Sequence, residues 1–360
     1  MEPSGVAVGK SEAPANTPSQ PLLEVRNLSV RIFPDATRVN EAHSVATYID
    51  KSHEIRPLKG VSFQVQRGEA VGLLGESGAG KSTLANALMR LLPSSSQVVE
   101  GSVEFEGRPF LSVDEHELRK MRGSRIALIH QDSAVLNPVL RVGNHLEEVL
   151  RAHYSWSRRR YREKAIALLK DMELPDVERI YAAHPHQLSG GQRQRIVIAQ
   201  ALACEPALVI ADEPTASLDP ETSAEIIELL GRLKRRSQTA FLLISHDLAP
   251  LTRLADRIMV MYAGRIIEQG RRDDILRQAL HPYTRALLAC ALPQQTAHDT
   301  GVGKGPIPTI AGNPPDLMHT TPGCDFEGRC PDRMAICSTR FPAEIQQSPT
   351  HNVRCFKYGG

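Results

Sequence analysis

The sequence predicts an α/β protein, a parallel sheet covered by helices on both faces, followed by a small cysteine-rich segment. Three observations carry this. A short apolar run, Ala70–Leu74 (AVGLL), leads into the glycine-rich Gly75–Ser82 (GESGAGKS) and then into helical spacing over Thr83–Leu92. Two more apolar runs, Leu208–Ala211 (LVIA) and Phe241–Ser245 (FLLIS), read as buried strands alternating with helical stretches. From about Leu292 the texture changes. Pro, Gly and Thr become dense, apolar periodicity fades, and four of the six cysteines fall between 324 and 355.

Taken in order, residues 1–20 are small, polar and proline-bearing and read as a disordered tail without the apolar core of a signal peptide. Leu22–Val30 and Val61–Val65 alternate like strands. Arg31–Lys59 between them is of mixed polarity with two prolines and reads as a long loop. Residues 132–187 hold helical patterns rich in Arg and Leu, such as Arg158–Glu173. The boundaries expected are 1–20 for the tail, 21–291 for the main domain and 292–360 for the extension, joined by a linker at Gln294–Pro308. No internal repeat is visible.

Composition removes several classes. Basic residues number 43 and acidic ones 41, a formal net charge of +2, so the chain is not a globally basic nucleic-acid binder. No run of 18 apolar residues exists, so it does not span a membrane by helices of its own. The arginines at 158–160 read as a solvated helix face rather than a nucleic-acid contact.

Gly75–Ser82 fits G-x-x-x-x-G-K-[ST] between a strand and a helix. Triphosphate oxygens need several backbone N–H donors converging on them. Gly75, Gly78 and Gly80 let the backbone approach and adopt positive φ, with Ser77, Lys81, Ser82 and Thr83 completing the loop and opening the helix. The helix N-terminus faces the phosphates, Lys81 reaches the β- and γ-phosphates, and Ser82 ligates Mg²⁺. Leu208-Val-Ile-Ala-Asp212-Glu213 ends a buried strand in two acids beside that loop. Asp212 is expected to hold Mg²⁺ through its water shell, and Glu213 to act as the general base on the attacking water.

Leu188-Ser-Gly-Gly-Gln192, followed by Arg193-Gln-Arg195, matches the signature of ABC ATPases. With Gly75–Ser82, Gln131, Asp212–Glu213 and His246 in the family's order, the chain from about Leu22 to Gln278 resembles an ABC transporter ATP-binding subunit. The resemblance implies a P-loop ABC ATPase cassette, a RecA-like core with a mixed sheet plus a helical subdomain at about 132–187. It implies ATP and Mg²⁺ as ligands, and ATP hydrolysis as the activity. Gln131 would contact Mg²⁺ and the lytic water, and His246 would hydrogen-bond the γ-phosphate. Ser189, Gly190, Gly191 and Gln192 would serve the nucleotide of the opposite subunit, so one chain carries two incomplete half-sites. Asp219, in Ser217-Leu-Asp219, resembles the D-loop. The adenine-stacking aromatic of the family has no clear equivalent: Phe33 stands one place late and Tyr48 lies in the unusual loop. The stretch His130–Pro138 is one residue shorter than the family's usual form, with His130 where an aromatic is common.

Leu136-Asn-Pro138, His281-Pro-Tyr-Thr-Arg-Ala-Leu-Leu288 and Pro322-Gly-Cys324…Arg329-Cys330-Pro331 are similar to the oligopeptide, dipeptide and nickel importer ATPases and their carboxy-terminal extension. That implies uptake of di- or oligopeptides, with nickel or another small solute as the alternative. It implies a second cassette (usually a paralogue), two transmembrane permeases and an extracytoplasmic binding protein as partners. The chain would then sit peripherally at the cytoplasmic face of the bacterial inner membrane. A soluble, non-transport ABC ATPase is the rival class. Such proteins commonly carry two cassettes or a coiled-coil insertion, and this sequence has one P-loop, one signature and no long heptad run.

Cys324-x5-Cys330-x6-Cys337-x17-Cys355 lies in a segment with few periodic apolar positions, too small to offset chain entropy without a staple. Zinc suits four thiolates but lacks its usual short paired spacing here. A [4Fe–4S] cluster tolerates wider spacings and is what the resemblance implies; free thiols are the third reading. Cys204 and Cys290 read as small apolar residues.

Overall fold

The computed structural model describes residues 20–33, 37–41, 44–48, 54–131, 135–291, 309–318 and 321–359. The expected tail before Gln20 and the expected linker over 294–308 lie outside them, as do residues 132–134 and the side chain of Tyr48. The chain opens with β1 (Leu23–Ile32), a hairpin of β2 (Thr37–Glu41) and β3 (Ser44–Tyr48), and β4 (Ile55–Val65). The long loop expected over 31–59 is therefore corrected: strand covers much of it. Its prolines misled because Pro57 lies in β4, which is an edge strand, where a missing N–H breaks no ladder.

Next come β5 (Ala70–Leu74), α1 (Lys81–Met89), β6 (Ser96–Phe105), β7 (Arg108–Pro109), α2 (Glu115–Met121) and β8 (Ile126–Ile129). A helical stretch follows: α3 (Val142–His153), α4 (Arg158–Asp171), α5 (Val177–Ala182) and α6 (Gly190–Leu202). Then come β9 (Leu208–Asp212), α7 (Pro220–Arg236), β10 (Ala240–Ser245), α8 (Leu248–Leu254), β11 (Arg257–Tyr262), β12 (Arg265–Arg271), α9 (Arg272–Gln278) and α10 (Pro282–Ala291). The tail contributes β13 (Ile345–Ser348) and β14 (His351–Val353).

Two sheets organise these elements. An antiparallel sheet runs β4-β1-β6-β7, and a mixed sheet runs β13-β14-β12-β11-β5-β10-β9-β8. Within the mixed sheet β11, β5, β10, β9 and β8 are parallel, while β12, β14 and β13 pair antiparallel. The parallel strands are apolar on both faces because each face lies in a different core. Ala70, Leu74, Val209, Ala211, Phe241 and Leu243 face the core shared with the helical stretch. Val71, Leu73, Leu208, Ile210, Leu242 and Ile244 face the core that holds α1 and the antiparallel sheet. Period-2 alternation thus fills two layers from one strand.

The tail is fastened to the central sheet. β14 pairs with β12 through Gly270↔His351 and Glu268↔Val353. Glu268, 1% exposed, accepts hydrogen bonds from the backbone N–H of Leu280 (2.7 Å) and of His281 (2.9 Å), and pairs with His351 Nε2 at 2.8 Å. His281 Nδ1 accepts from the Tyr283 N–H at 3.0 Å, so this ring nitrogen is held unprotonated.

Burial pushes the His281 imidazole down to about 4; the nearby Glu268 charge opposes this and Arg285 adds to it. The unfolded chain takes up a proton near 6.5 that the folded chain refuses until about 4, so this residue penalises the folded state progressively as pH falls across that window. His281→Gln is expected to flatten the loss of thermal midpoint between pH 6.5 and 4, read by calorimetry at stepped pH. An unchanged slope would show that His281 does not carry the acid limb.

Candidate functional site

The site grows from the carboxyl edge of β5, β10, β9 and β8. In register, Leu74 lies opposite Ser245 and Asp212 opposite Ile244, so the segments that follow these strands emerge side by side. After β5 the chain turns through Gly75–Gly80. A Cβ on Gly75 would lie 2.4 Å from the Met261 carbonyl oxygen. Gly80, at φ 105°, would put one 2.3 Å from that of Pro57. Only glycine fits either place. α1 opens at Lys81 without a side-chain cap on Gly80, so its first amide donors are left for an anion.

Lys81 is 7% exposed and turns back over the loop, donating from Nζ to the carbonyl of Gly75 at 2.7 Å and of Glu76 at 3.1 Å. Burial lowers its affinity for a proton, and Glu213, Asp212 and Glu76 raise it again. An ammonium so placed, desolvated and hydrogen-bonded to two loop carbonyls, is suited to a polyphosphate. Asp212 is shifted the other way: burial raises its pKa, its hydrogen bond with Ser82 lowers it, and the Glu213 charge raises it. Its Oδ1 is buried without a hydrogen-bond partner. An oxygen in that condition beside a serine hydroxyl fits a hard divalent cation.

Glu213 adopts φ 50°, a left-handed conformation rare for a non-glycine residue, and lies 4.0 Å from Lys81 Nζ. Its Oε1 accepts from the His246 backbone N–H at 2.9 Å, and its Oε2 meets His246 Nδ1 at 2.8 Å. The two strand ends are thereby clasped together, with the His246 side chain 54% exposed toward the space in front of them. Gln131 follows β8 and is exposed. The structure thus brings Lys81, Ser82, Asp212, Glu213 and His246 together, with Gln131 at the same edge.

Ser189 and its neighbours stand apart from this group. α6 begins at Gly190, with Ser189 as its cap. Ser189 Oγ accepts from the Gln192 N–H at 3.2 Å and Gln192 Oε1 accepts from the Ser189 N–H at 3.2 Å, a reciprocal cap. Gly190 and Gly191 approach the segment of Asp219: a Cβ on Gly191 would come within 2.5 Å of Thr222 Cγ2. Asp219 caps α7, accepting from the Thr222 N–H at 2.9 Å. Among the described residues no hydrogen bond or ion pair joins Ser189–Gln192 to the Gly75–Thr83 loop. Phe33, considered for an adenine contact, is 5% exposed and buried at the end of β1.

Cys324, Cys330, Cys337 and Cys355 line one small cavity and are all free thiols. Burial pushes the Cys324 thiol up to about 12, with the Cys337 and Cys355 charges acting in the same direction. Burial also raises Cys330 and Cys355. Among the described residues no group of three or more Cys, His, Asp or Glu side chains is placed to hold a metal ion. Ionising these thiols would take a bound group of positive charge. Spacing did not single out Glu76, Tyr262, Tyr283 and Arg329. They belong to the same neighbourhood, since Arg329 Nη1 reaches both Glu76 Oε2 at 2.9 Å and the Tyr262 hydroxyl at 3.2 Å, and the Glu76 N–H donates to the Tyr283 hydroxyl at 3.0 Å.

A phosphate loop after β5, an acid pair at the end of β9 and a serine-capped signature helix define an ATP-binding cassette, and comparison agrees. The ABC transporter family matches residues 58–216, and the oligopeptide/dipeptide transporter C-terminal region matches 267–337. The chain belongs to the ATP-binding subunits of ABC transporters, in the oligopeptide/dipeptide group, and is an ATPase. It is 40% identical to the dipeptide transport ATP-binding protein DppD of Bacillus subtilis (strain 168), over 84% of this chain and 89% of that one. It is 41% identical to the oligopeptide transport ATP-binding protein OppD of Escherichia coli (strain K12), over 86% and 90%. Its fold is similar to a dimeric, post-hydrolysis structure of the cassette MJ0796 bound to ADP and Pi, with TM-score 0.57, 29% identity, and coverage of 69% and 98%. Among the described residues no helix is long and apolar enough to cross a membrane.

Asp212→Ala is expected to remove most of the Mg²⁺-dependent part of nucleotide affinity and leave the metal-free part in place. Calorimetric titration of ADP with and without Mg²⁺ measures both. An equal loss in the two conditions would contradict a cation site at Oδ1.

Proposed function

We propose that this chain binds and hydrolyses ATP to power uptake of di- or oligopeptides through partner membrane subunits. The observation that carries the reading is the joining of two features in one chain. Lys81, Asp212, Glu213 and His246 meet at one sheet edge, and the tail belongs to the C-terminal region of oligopeptide/dipeptide transporters. The partners proposed are a second cassette, two permeases and an extracytoplasmic binding protein, with peripheral attachment at the cytoplasmic face of the inner membrane. Residues 21–291 form the cassette, with a helical subdomain at about 132–187, and 292–360 the extension.

In this reading Gly75, Ser77, Gly78, Gly80 and Thr83 present the backbone of the loop to the phosphates. Lys81 exchanges its two carbonyl partners for β- and γ-phosphate oxygens. Mg²⁺, held by Asp212 with Ser82 and Gln131, would neutralise charge on the transferring phosphoryl group. Glu213 accepts the proton of the attacking water. Its clasp on His246 holds the carboxylate toward the strand edge while the imidazole faces the γ-phosphate position. Ser189, Gly190, Gly191 and Gln192 project from the α6 N-terminus, 13 residues long, toward the partner's nucleotide, with Asp219 beside them. The dimeric state named for the similar solved cassette supports a pairing of two cassettes. We further propose that Cys324, Cys330, Cys337 and Cys355 hold a [4Fe–4S] cluster that staples the extension. Their shared cavity supports this, and iron and sulfide analysis of anaerobically purified protein tests it, with about four of each expected per chain.

Glu213→Gln should retain ATP binding and lose turnover by roughly two orders of magnitude or more, since the amide cannot take the water's proton. Hydrolysis at the wild-type rate would remove Glu213 from the mechanism. Ser189→Arg should abolish turnover while binding at its own P-loop persists. Parallel loss of both would contradict a serine that serves the opposite site. For the substrate, peptide-stimulated ATPase in liposomes containing the whole importer decides, and stimulation by a metal complex but not by peptides would overturn the peptide assignment.

A further inference from the structure

Glu76 is an awkward residue at its position. A carboxylate in the second place of a phosphate-binding loop faces a site meant for a polyanion, and it adds to the charges acting on Lys81. The tail answers it. Arg329 sends Nη1 to Glu76 Oε2 at 2.9 Å and Nη2 to Glu76 Oε1 at 3.2 Å, a two-pronged ion pair. The rest of the guanidinium is also engaged: Nε donates to the Ala311 carbonyl at 2.9 Å, Nη2 to that of Ile310 at 3.4 Å, and Nη1 to the Tyr262 hydroxyl at 3.2 Å. The Arg329 side chain is 7% exposed, with the rings of Tyr262 and Phe326 each 5.9 Å away. Glu76 is held from its backbone as well. Its N–H donates to Tyr283, and its carbonyl accepts from Lys81 Nζ.

We propose that Arg329 is a positioning residue of the nucleotide site. By occupying both Glu76 oxygens it keeps that carboxylate away from Lys81 and from the incoming phosphates, so the tail is a working part of the ATP site. Without Arg329, Glu76 loses both of its side-chain hydrogen bonds, and the Lys81 ammonium, on which its charge already acts, becomes its alternative partner. Phosphate must then compete with Glu76 for Lys81 and overcome its repulsion. Arg329 directly precedes Cys330, and its N–H donates to the Phe326 carbonyl at 3.0 Å, so the order of the cysteine-lined segment is linked to the clamp. By linkage, ATP in the loop steadies that segment in return. The inference rests on the reading that Gly75–Ser82 holds the triphosphate.

The test is MgATP affinity of the full-length chain by calorimetry, with kcat and KM measured in the assembled importer, on a set of variants. Arg329→Ala is expected to weaken ATP binding roughly tenfold and raise KM with a smaller change in kcat. Arg329→Lys should fall between it and wild type. Glu76→Gln alone gives the baseline for the double variant, because its neutral amide neither repels phosphate nor captures Lys81. The decisive variant is the double one, Arg329→Ala with Glu76→Gln, which should recover most of the lost affinity. A double variant as weak as Arg329→Ala, or weaker, would reduce Arg329 to a packing role and overturn the proposal. If Arg329→Ala does not fold, Arg329→Lys with and without Glu76→Gln carries the same comparison. Lys81→Ala separates the two readings. Unchanged binding there would overturn the phosphate loop itself, whereas lost binding there with normal binding in Arg329→Ala would overturn this inference alone.

Discussion

Everything at this site depends on the parallel register of β5, β10, β9 and β8. Parallel pairing points every strand the same way, so every following segment leaves from one edge. The register sets Leu74 beside Ser245 and Asp212 beside Ile244, which places the loop after β5, the acids after β9 and the histidine after β10 within reach of each other. A slip of one residue would turn Asp212 to the other face and send apolar side chains into the wrong core. The two cores resist such a slip, because Val209 and Ala211 are buried in one and Leu208 and Ile210 in the other. Sheet packing and site geometry are therefore one specification.

The electrostatics follow from that placement. Burial penalises the charged forms of Lys81 and Asp212 alike, while the sequence forces them to sit near each other. A buried ammonium hydrogen-bonded to carbonyls, with its nearest carboxylate at the 4.0 Å limit of an ion pair, and a buried carboxylate oxygen with no hydrogen-bond partner are both incompletely satisfied. Such groups are costly in a folded protein and are kept where a ligand completes them. The left-handed backbone at Glu213 belongs to the same pattern, as strain tolerated where His246 over-determines the position.

How much of this could be read from the sequence varies with distance along the chain. The loop after β5 and the acids after β9 were legible because their chemistry is local: strand, glycines, helix, or strand, then acids. The cap on α6 is legible as well, since Ser189-x-x-Gln192 is the spacing of a capping box. The stretch over 31–59 was misjudged because prolines argue against strands without saying whether a strand is an edge. The Glu76–Arg329 pair left no sequence signal, since its partners are 253 residues apart and neither spacing nor periodicity links them.

The tail shows why the division into cassette and extension is incomplete as physics. On composition alone residues 292–360 look like a small appendage needing a metal staple. In the fold, β14 takes its hydrogen bonds from β12, and Glu268 of β12 is satisfied partly by His351 of the tail. Lys59 of β4 pairs with Asp325 at 2.9 Å, both side chains 7% exposed. Arg329 pairs with the loop after β5. The tail thus touches the central sheet, the antiparallel sheet and the phosphate loop, each through a charge that is shielded from water. Removing one partner of such a pair leaves a buried charge behind, which costs more than a surface contact is worth. A segment attached in this way cannot rearrange without disturbing the loop that holds the nucleotide. Whatever alters the order of the tail is therefore felt at the loop after β5.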